Sequence, residues 1–351
     1  MRINHNALII TGPTASGKTQ LSEMIAQNRS CEIINADVGQ FYKPLSVGTA
    51  KPDLASAPYK YHLFDILDKP QDLSVVKYRS LVTDLVKDIC SRGKIPVIVG
   101  GSLFYIKSLF FPPVCHPAVS AEALREGREL DSGSIQTIIP SNIDDLSENQ
   151  KWELLQNIDP ERAAMLHPND SYRIGRALAI WANTGIKPST YKPIFDPAFN
   201  ALIVYAQPVF AKATTGRPDF VTLKDRIYLR TTLMISGWIE EAQGLIGTEW
   251  EEFLKTKNLI GYTEIFDWIK AGKNKSELPK LIEKIQVKTV QYAKRQRTFW
   301  KSFQNSILEC KNLQAPKFLI QTMSVQNMSV GLPDDQILNQ VLTAWDNFSN
   351  S

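Results

Sequence analysis

Three observations predict an α/β fold. An apolar run, Ala7-Leu8-Ile9-Ile10, leads directly into Gly12-Pro13-Thr14-Ala15-Ser16-Gly17-Lys18-Thr19, a G-x-x-x-x-G-K-T spacing. Residues 1–111 alternate short apolar runs with helical patterns, as a parallel sheet covered by helices requires. From Thr222 to Phe303 the apolar spacing is almost entirely helical. Together these predict a P-loop NTPase-like parallel sheet flanked by helices, with an inserted small helical subdomain and a helical C-terminal half.

The strand at 7–10 must be buried, and it must end in a turn whose backbone N–H groups converge; the glycine-rich loop supplies that turn. A helix over 18–27 adds the partial positive charge of its N-terminus. Lys18 is placed to meet terminal phosphates and the Thr19 hydroxyl to meet a magnesium ion, so the loop implies a phosphorylated ligand without naming it. Residues 31–36 form the second strand, ending at Asp37, and 61–67 another. Residues 74–92 carry Val75, Tyr78, Leu81, Leu85 and Ile89 at helical spacing and stop at Gly93. Residues 95–99 are a buried strand closed by Gly100-Gly101, with a helix from Ser102. Pro112, Pro113 and Pro117 then break the pattern, and Asp131-Ser132-Gly133-Ser134 is a turn. A helix over 170–184 ends at Gly185, and 201–206 return to the sheet. The expected organisation is a phosphate-loop core over 1–111, an inserted helical subdomain over 112–165, the rest of the core and the helical region over 166–304, and a tail over 305–351 with no assigned role.

At 351 residues, with 43% apolar and 22% charged residues, the composition is that of an ordinary globular chain. No apolar run approaches the ~20 residues that span a bilayer, and the N-terminus lacks the pattern of a secretory signal. The expected location is cytoplasmic, without membrane contact. Cys31, Cys90, Cys115 and Cys310 form no C-x-x-C pair, and His5, His62, His116 and His167 are dispersed, so neither a zinc site nor a redox motif is indicated. The net charge of +4 does not by itself imply nucleic acid.

Ligands of an open parallel sheet sit at the carboxyl ends of its strands. Three features fall there: the phosphate loop, Asp37 and Gly100-Gly101-Ser102. Asp37 suits a general base or a metal ligand, and capping the following turn is the alternative use of an aspartate at such a place. Gly100-Gly101 lets backbone approach a ligand, and the Ser102 hydroxyl could contact either substrate. Arg226 and Arg230 stand at i, i+4 on one helix and match a diphosphate, though such pairs are also common on solvated surfaces. Residues 288–301 hold Lys288, Lys294, Arg295, Arg297 and Lys301 with no acidic residue, interleaved with Tyr292, Phe299 and Trp300. That composition suits contact with a nucleic-acid backbone, the alternative being a solvated helix face.

From residue 7 to about 303 the chain resembles the tRNA dimethylallyltransferases (isopentenyl-diphosphate:tRNA transferases). The resemblance rests on the phosphate loop, Asn35-Ala36-Asp37, Gln40-Phe41-Tyr42, Gly48-Thr49-Ala50-Lys51-Pro52, His62-Leu63-Phe64-Asp65-Ile66 and Val99-Gly100-Gly101-Ser102 with Tyr105. It continues through Asp159-Pro160, His167-Pro168-Asn169-Asp170, Arg173-Ile174, Arg176-Ala177-Leu178, Thr184-Gly185, Ile260-Gly261-Tyr262 with Glu264, and Gln291-Tyr292-Ala293-Lys294-Arg295-Gln296. The G-T-A-K-P and Y-A-K-R-Q blocks separate it from ordinary phosphate-loop kinases. The resemblance implies transfer of a dimethylallyl group from dimethylallyl diphosphate to N6 of the adenosine 3′ of the anticodon, position 37, in tRNAs reading codons that start with U. It implies that Gly12, Pro13, Thr14, Ala15, Ser16, Gly17, Lys18 and Thr19 hold the diphosphate, with magnesium at Thr19. Asp37 would be the base, Ser102 would replace the family's threonine, and Arg226 would help to bind diphosphate. Asp37, Val38, Gly39 and Gln40, Ser102, and Tyr172, Arg173, Ile174, Gly175 and Arg176 would meet tRNA, as would Lys294 and Arg295 on the basic helix. The inserted subdomain would grip the anticodon stem-loop, and a monomer is expected.

Three departures stand out. The family's Asp-Ser-x-Gln is Asp37-Val38-Gly39-Gln40 here, its Gln-Arg is Tyr172-Arg173, and the insertion up to Asn149 matches loosely. The rival readings are a P-loop kinase of a small metabolite, an adenylate isopentenyltransferase acting on free nucleotides, and a non-catalytic RNA-binding protein. A kinase leaves the basic helix unexplained, and intact Lys18, Thr19 and Asp37 argue against the loss of catalysis.

Overall fold

The computed structural model describes residues 5–112, 143–191, 194–208, 222–310, 318–325 and 335–350. Most of the expected insertion, including the 131–134 turn, Pro113, Pro117, Cys115 and His116, lies outside them. In chain order the elements are β1 (Asn6–Thr11), α1 (Lys18–Asn28), β2 (Cys31–Asn35), β3 (Tyr61–His62), α2 (Val75–Ser91), β4 (Ile95–Gly100) and α3 (Leu103–Ser108). There follow α4 (Glu148–Ile158), α5 (Pro160–Ala164), α6 (Ser171–Thr184), β5 (Asn200–Pro208), α7 (Leu223–Leu245), α8 (Glu249–Thr256), α9 (Tyr262–Lys270), α10 (Leu278–Glu309), β6 (Phe318–Val325) and α11 (Asp335–Asn350).

The six strands form one sheet in the order β3-β2-β4-β1-β5-β6, with every pairing parallel. Strands buried on both faces need continuous apolar runs, which β1 and β5 supply. Alternate residues then serve opposite faces: Ala7, Ile9, Ala201 and Ile203 pack towards α2, α7 and α10, while Leu8, Ile10, Leu202 and Val204 pack towards α1 and α11. Thr11 pairs with Gly100, and Asn35 with Val99, so the loops after β1, β2 and β4 leave the same edge side by side.

The chain divides into two compact units, one of 1–111 with 195–351 and the other of 112–194. Within the second, Leu154, Leu155, Ala163, Ile174, Ala177 and Leu178 bring α4, α5 and α6 around a small core of their own. The expected return to the main core at 166 is therefore corrected: α6 belongs to the inserted unit, and the main core resumes at Phe195. The strand expected over 61–67 is also shorter, because Leu63 (φ 61°) and Asp65 (φ 55°) adopt left-handed backbone that cannot continue a strand. The 305–351 segment, given no role from sequence, adds edge strand β6 and covers one sheet face with α11.

Candidate active site

The loop between β1 and α1 is shaped by close backbone approach. Gly12 has φ 153°, and a Cβ there would meet the Ala206 carbonyl oxygen at 2.6 Å, so the loop passes β5 only as glycine. The Ser16 amide donates to the Pro13 carbonyl at 3.2 Å, and Gly17, in left-handed backbone, caps α1. Lys18 opens the helix and donates from Nζ to the same Pro13 carbonyl at 2.9 Å. Its side chain is nearly buried, and desolvation lowers its pKa to about 8 against the opposing pull of Asp37. The Ser16 hydroxyl is buried without a hydrogen-bond partner.

Asp37 is held by Asn35 at the end of β2. The Asn35 Oδ1 accepts from the Asp37 amide at 2.8 Å, and its Nδ2 donates to the carbonyls of Asp37 (3.1 Å) and Leu63 (3.0 Å). The carboxylate accepts from the Gly39 amide at 3.3 Å, capping the short 3₁₀ turn Val38–Phe41. Asp37 thus caps that turn and also lines open space. Burial raises its pKa, opposed by Lys18, the Gly39 amide, Arg230 and the Gly101 amide.

Ser102 stands at the start of α3 without capping it; its Oγ accepts from the Val38 amide at 3.0 Å and ties down the turn beside Asp37. Gln40 is nearly buried and donates from Nε2 to the carbonyls of Thr49 (3.1 Å) and Ala50 (3.3 Å). Its amide therefore holds the G-T-A-K-P segment. From α7, Glu241 braces the same segment by accepting from the amides of Ser46 (2.6 Å), Val47 (2.7 Å) and Gly48 (3.0 Å) and from the Tyr262 hydroxyl (2.5 Å).

Two cavities meet at Asp37. One, of about 490 Å³, is lined by Thr14, Ala15, Gly17, Lys18, Thr19, Arg226 and Arg230, with Phe64, Leu229 and Leu233 on its apolar side. The other, of about 440 Å³, is lined by Val38, Gly39, Ser102, Trp238, Tyr262, Tyr292 and Arg295. Thr14, Ala15, Asp37, Thr49, Arg230 and Met234 line both. Arg226 and Arg230 are partly buried and face the cavity beside the phosphate loop, rather than forming a solvated surface pair. The Arg226 Nε has no hydrogen-bond partner. The first cavity is cationic and opens on a helix N-terminus, which suits a multiply charged anion. The second is aromatic and suits a planar ring.

The basic helix needs two corrections. The aromatics interleaved in 288–301 face the protein: Trp300 is buried and stacks on Tyr205 at 4.3 Å between ring centroids, and Tyr292 turns to the second cavity. Lys288 is compensated after all, by an ion pair with the buried Glu264 of α9. Lys294 and Arg295 are exposed. Within the inserted unit Tyr172, Arg173 and Arg176 of α6 are exposed, Gly175 is half-buried, and Arg173 pairs with Asp170. Ile174 is 0% exposed, so its side chain is core rather than a contact for tRNA. The sequence marked Gln296 as the end of the Y-A-K-R-Q block without giving it a role, and it passed over Glu241 and the apolar Leu229 and Leu233. The last two were findable, lying one turn apart beside Arg226 and Arg230.

A family model described as IPP transferase matches residues 40–303. A tRNA dimethylallyltransferase of a Thermoanaerobacter species is 34% identical over 300 residues, covering 84% of this chain and 89% of that protein. A tRNA dimethylallyltransferase 1 of Citrifermentans bemidjiense is 34% identical over 304 residues, covering 86% and 90%. Among solved structures, the full-length tRNA isopentenylpyrophosphate transferase of Bacillus halodurans aligns with a TM-score of 0.58 at 24% identity, over 99% of this chain and 97% of its own. A eukaryotic dimethylallyltransferase acting on tRNA aligns with a TM-score of 0.68 at 24% identity, over 99% and 80%. At that identity the two structures bear on the fold alone.

Proposed function

The chain belongs to the IPP transferase family, and on that premise we propose that it prenylates tRNA, moving a dimethylallyl group from dimethylallyl diphosphate to N6 of adenosine 37 in tRNAs that read codons beginning with U. The observation that carries this reading is the meeting of a cationic and an aromatic cavity at one carboxylate, Asp37. The diphosphate belongs in the first cavity, against Lys18, Arg226, Arg230 and the N-terminus of α1. The extruded purine belongs in the second, with its amino group towards Asp37.

Chemistry follows from that placement. The allylic C1–O bond breaks, its electron pair leaves with diphosphate, N6 bonds to C1, and the N6 proton passes to the Asp37 carboxylate. The purine amine is a poor nucleophile, and a base accepting its proton during attack contributes roughly 10²–10⁴-fold. Lys18, Arg226 and Arg230 line that cavity, and on this reading they stabilise charge growing on the leaving group. Unstacking the base costs a few kcal/mol, which contacts to the tRNA backbone by Lys294, Arg295, Tyr172, Arg173 and Arg176 offset.

Magnesium fits as a proposal. No cluster of three or more His, Cys, Asp or Glu able to hold a metal occurs among the described residues, and Thr19 offers one hard oxygen donor to the phosphate cavity. That donor set suits an ion held mainly by water and phosphate oxygens. When bound, the ion neutralises diphosphate charge. The test is to incubate the protein with unmodified tRNA and dimethylallyl diphosphate, digest the tRNA and look for N6-isopentenyladenosine. Its absence, with nucleoside-triphosphate turnover in the absence of RNA, would return the kinase reading.

A further inference from the structure

Gln296, on the buried side of α10, joins two parts of the site that the chain itself keeps far apart. Its Oε1 accepts from the Thr14 amide of the phosphate loop at 2.8 Å, and its Nε2 donates to the Gly101 carbonyl at 2.9 Å. Gln296 is 6% exposed. A Cβ at Gly101 would stand 2.4 Å from that Nε2, so the turn after β4 is shaped to receive the amide. A primary amide presents one acceptor and one donor on a single rigid plane, and here each meets a backbone group of opposite kind.

Two consequences follow. The Thr14 N–H is spent on Gln296, so in this arrangement the loop amides left for a diphosphate come from further along the loop. A continuous path of hydrogen bonds and backbone also runs from Thr14 through Gln296 to Gly101, on to Ser102, and through the Ser102 hydroxyl to the Val38 amide beside Asp37. We infer that Gln296 is a positioning residue that sets the separation between the phosphate loop and the Asp37 turn, and so between leaving group and base. The inference rests on the diphosphate reading of the loop.

Gln296→Met keeps the length and apolar stem of the side chain and removes both backbone hydrogen bonds, together with the side-chain hydrogen bond to Tyr292. With inorganic diphosphate as probe and magnesium in the buffer, the expected result is about tenfold weaker binding, the scale of one buried hydrogen bond. A kcat lowered by about tenfold should accompany it, with the KM for tRNA within about twofold of the parent's. Gln296→Glu separates positioning from general damage. Its protonated carboxyl group reproduces the donor and acceptor pattern of the amide, whereas the carboxylate lacks the donor. Diphosphate affinity relative to the parent at the same pH should therefore recover as pH falls from 8 to 5.5. Parent-like affinity and kcat in Gln296→Met would overturn the inference, as would a Gln296→Glu deficit that is the same at every pH. If Gln296→Met does not fold, the pH series of Gln296→Glu decides alone. A parent protein that binds no diphosphate would instead overturn the ligand reading, and this inference with it.

Discussion

Lys18 and Asp37 face one cavity, and each is displaced by burial in the direction that weakens its charge. Burial lowers the Lys18 pKa to about 8, so in the free enzyme the ammonium is lost as pH rises through that value. Burial raises the Asp37 pKa above its ordinary value, so the carboxylate is lost by protonation earlier on the acid side than an exposed aspartate would be. A bound diphosphate adds negative charge beside Lys18 and pulls its pKa back up. The pH profile of kcat/KM for dimethylallyl diphosphate should therefore be bell-shaped, with an alkaline limb near pH 8 that moves to higher pH in kcat, because kcat/KM reports the free enzyme and kcat the complex. Identical alkaline limbs in both profiles would remove Lys18 from the diphosphate. Lys18, Thr19 and Asp37 were marked as candidates by local pattern, at a helix start and a strand end. Spacing left Arg226 open between a diphosphate ligand and a surface charge, and only the family resemblance favoured the first. Glu241 was not marked, and Gln296 was visible only as the end of the Y-A-K-R-Q block, without its contacts. Each acts on backbone 193 or more residues away in the chain, and no local pattern carries that contact.

Helix α10 shows what a charge count can and cannot say about an element. Its basic composition was plain in the sequence, but the direction of each side chain depends on neighbours contributed by other elements. Lys288 turns to Glu264 and Trp300 to Tyr205, while Lys294 and Arg295 are exposed. Lys294, Arg295 and Lys301 are the exposed basic residues of the stretch, and the first two are the pair the family resemblance marks for tRNA. The double variant Lys294→Ala/Arg295→Ala should weaken tRNA binding and flatten the slope of log K against log salt by about 1.4–1.8, from a slope of roughly 0.7–0.9 per phosphate contact. Lys288→Ala should leave that slope unchanged, because its charge is already answered within the protein. Equal effects from both variants would mean that general charge, rather than placement on the helix, governs the contact. The shortened β3 teaches the same lesson in a strand. The apolar residues of 61–67 have strand-like spacing, yet left-handed backbone at Leu63 and Asp65 ends the strand after two residues.

In the core unit, the sheet separates the candidate site from support. Its carboxyl edge carries the phosphate loop, the Asp37 turn and the Gly100-Gly101-Ser102 turn, and α7 and α10 close the cavities from one face. The opposite face is covered by α1 and by α11, whose Ile337, Leu338, Val341, Leu342, Trp345 and Phe348 pack on Leu8, Ile10, Leu202 and Val204. The parallel core was legible because its strands are continuous apolar runs. The place of α11 was not, because the helical spacing of its apolar residues does not say which sheet face they cover. Without α11 that apolar face would meet water, so the C-terminal segment is a structural requirement rather than an appendage. Trp345→Ala tests this at a residue that lines neither cavity. Truncating a buried tryptophan costs about 3–5 kcal/mol, which in a unit of this size lowers Tm by roughly 10 °C. The fraction that remains folded at 25 °C should retain the parent kcat, since the loops at the carboxyl edge are untouched. A Tm within about 2 °C of the parent's would show that the sheet face is held without this helix, and a lower kcat at full folding would tie α11 to the catalytic edge.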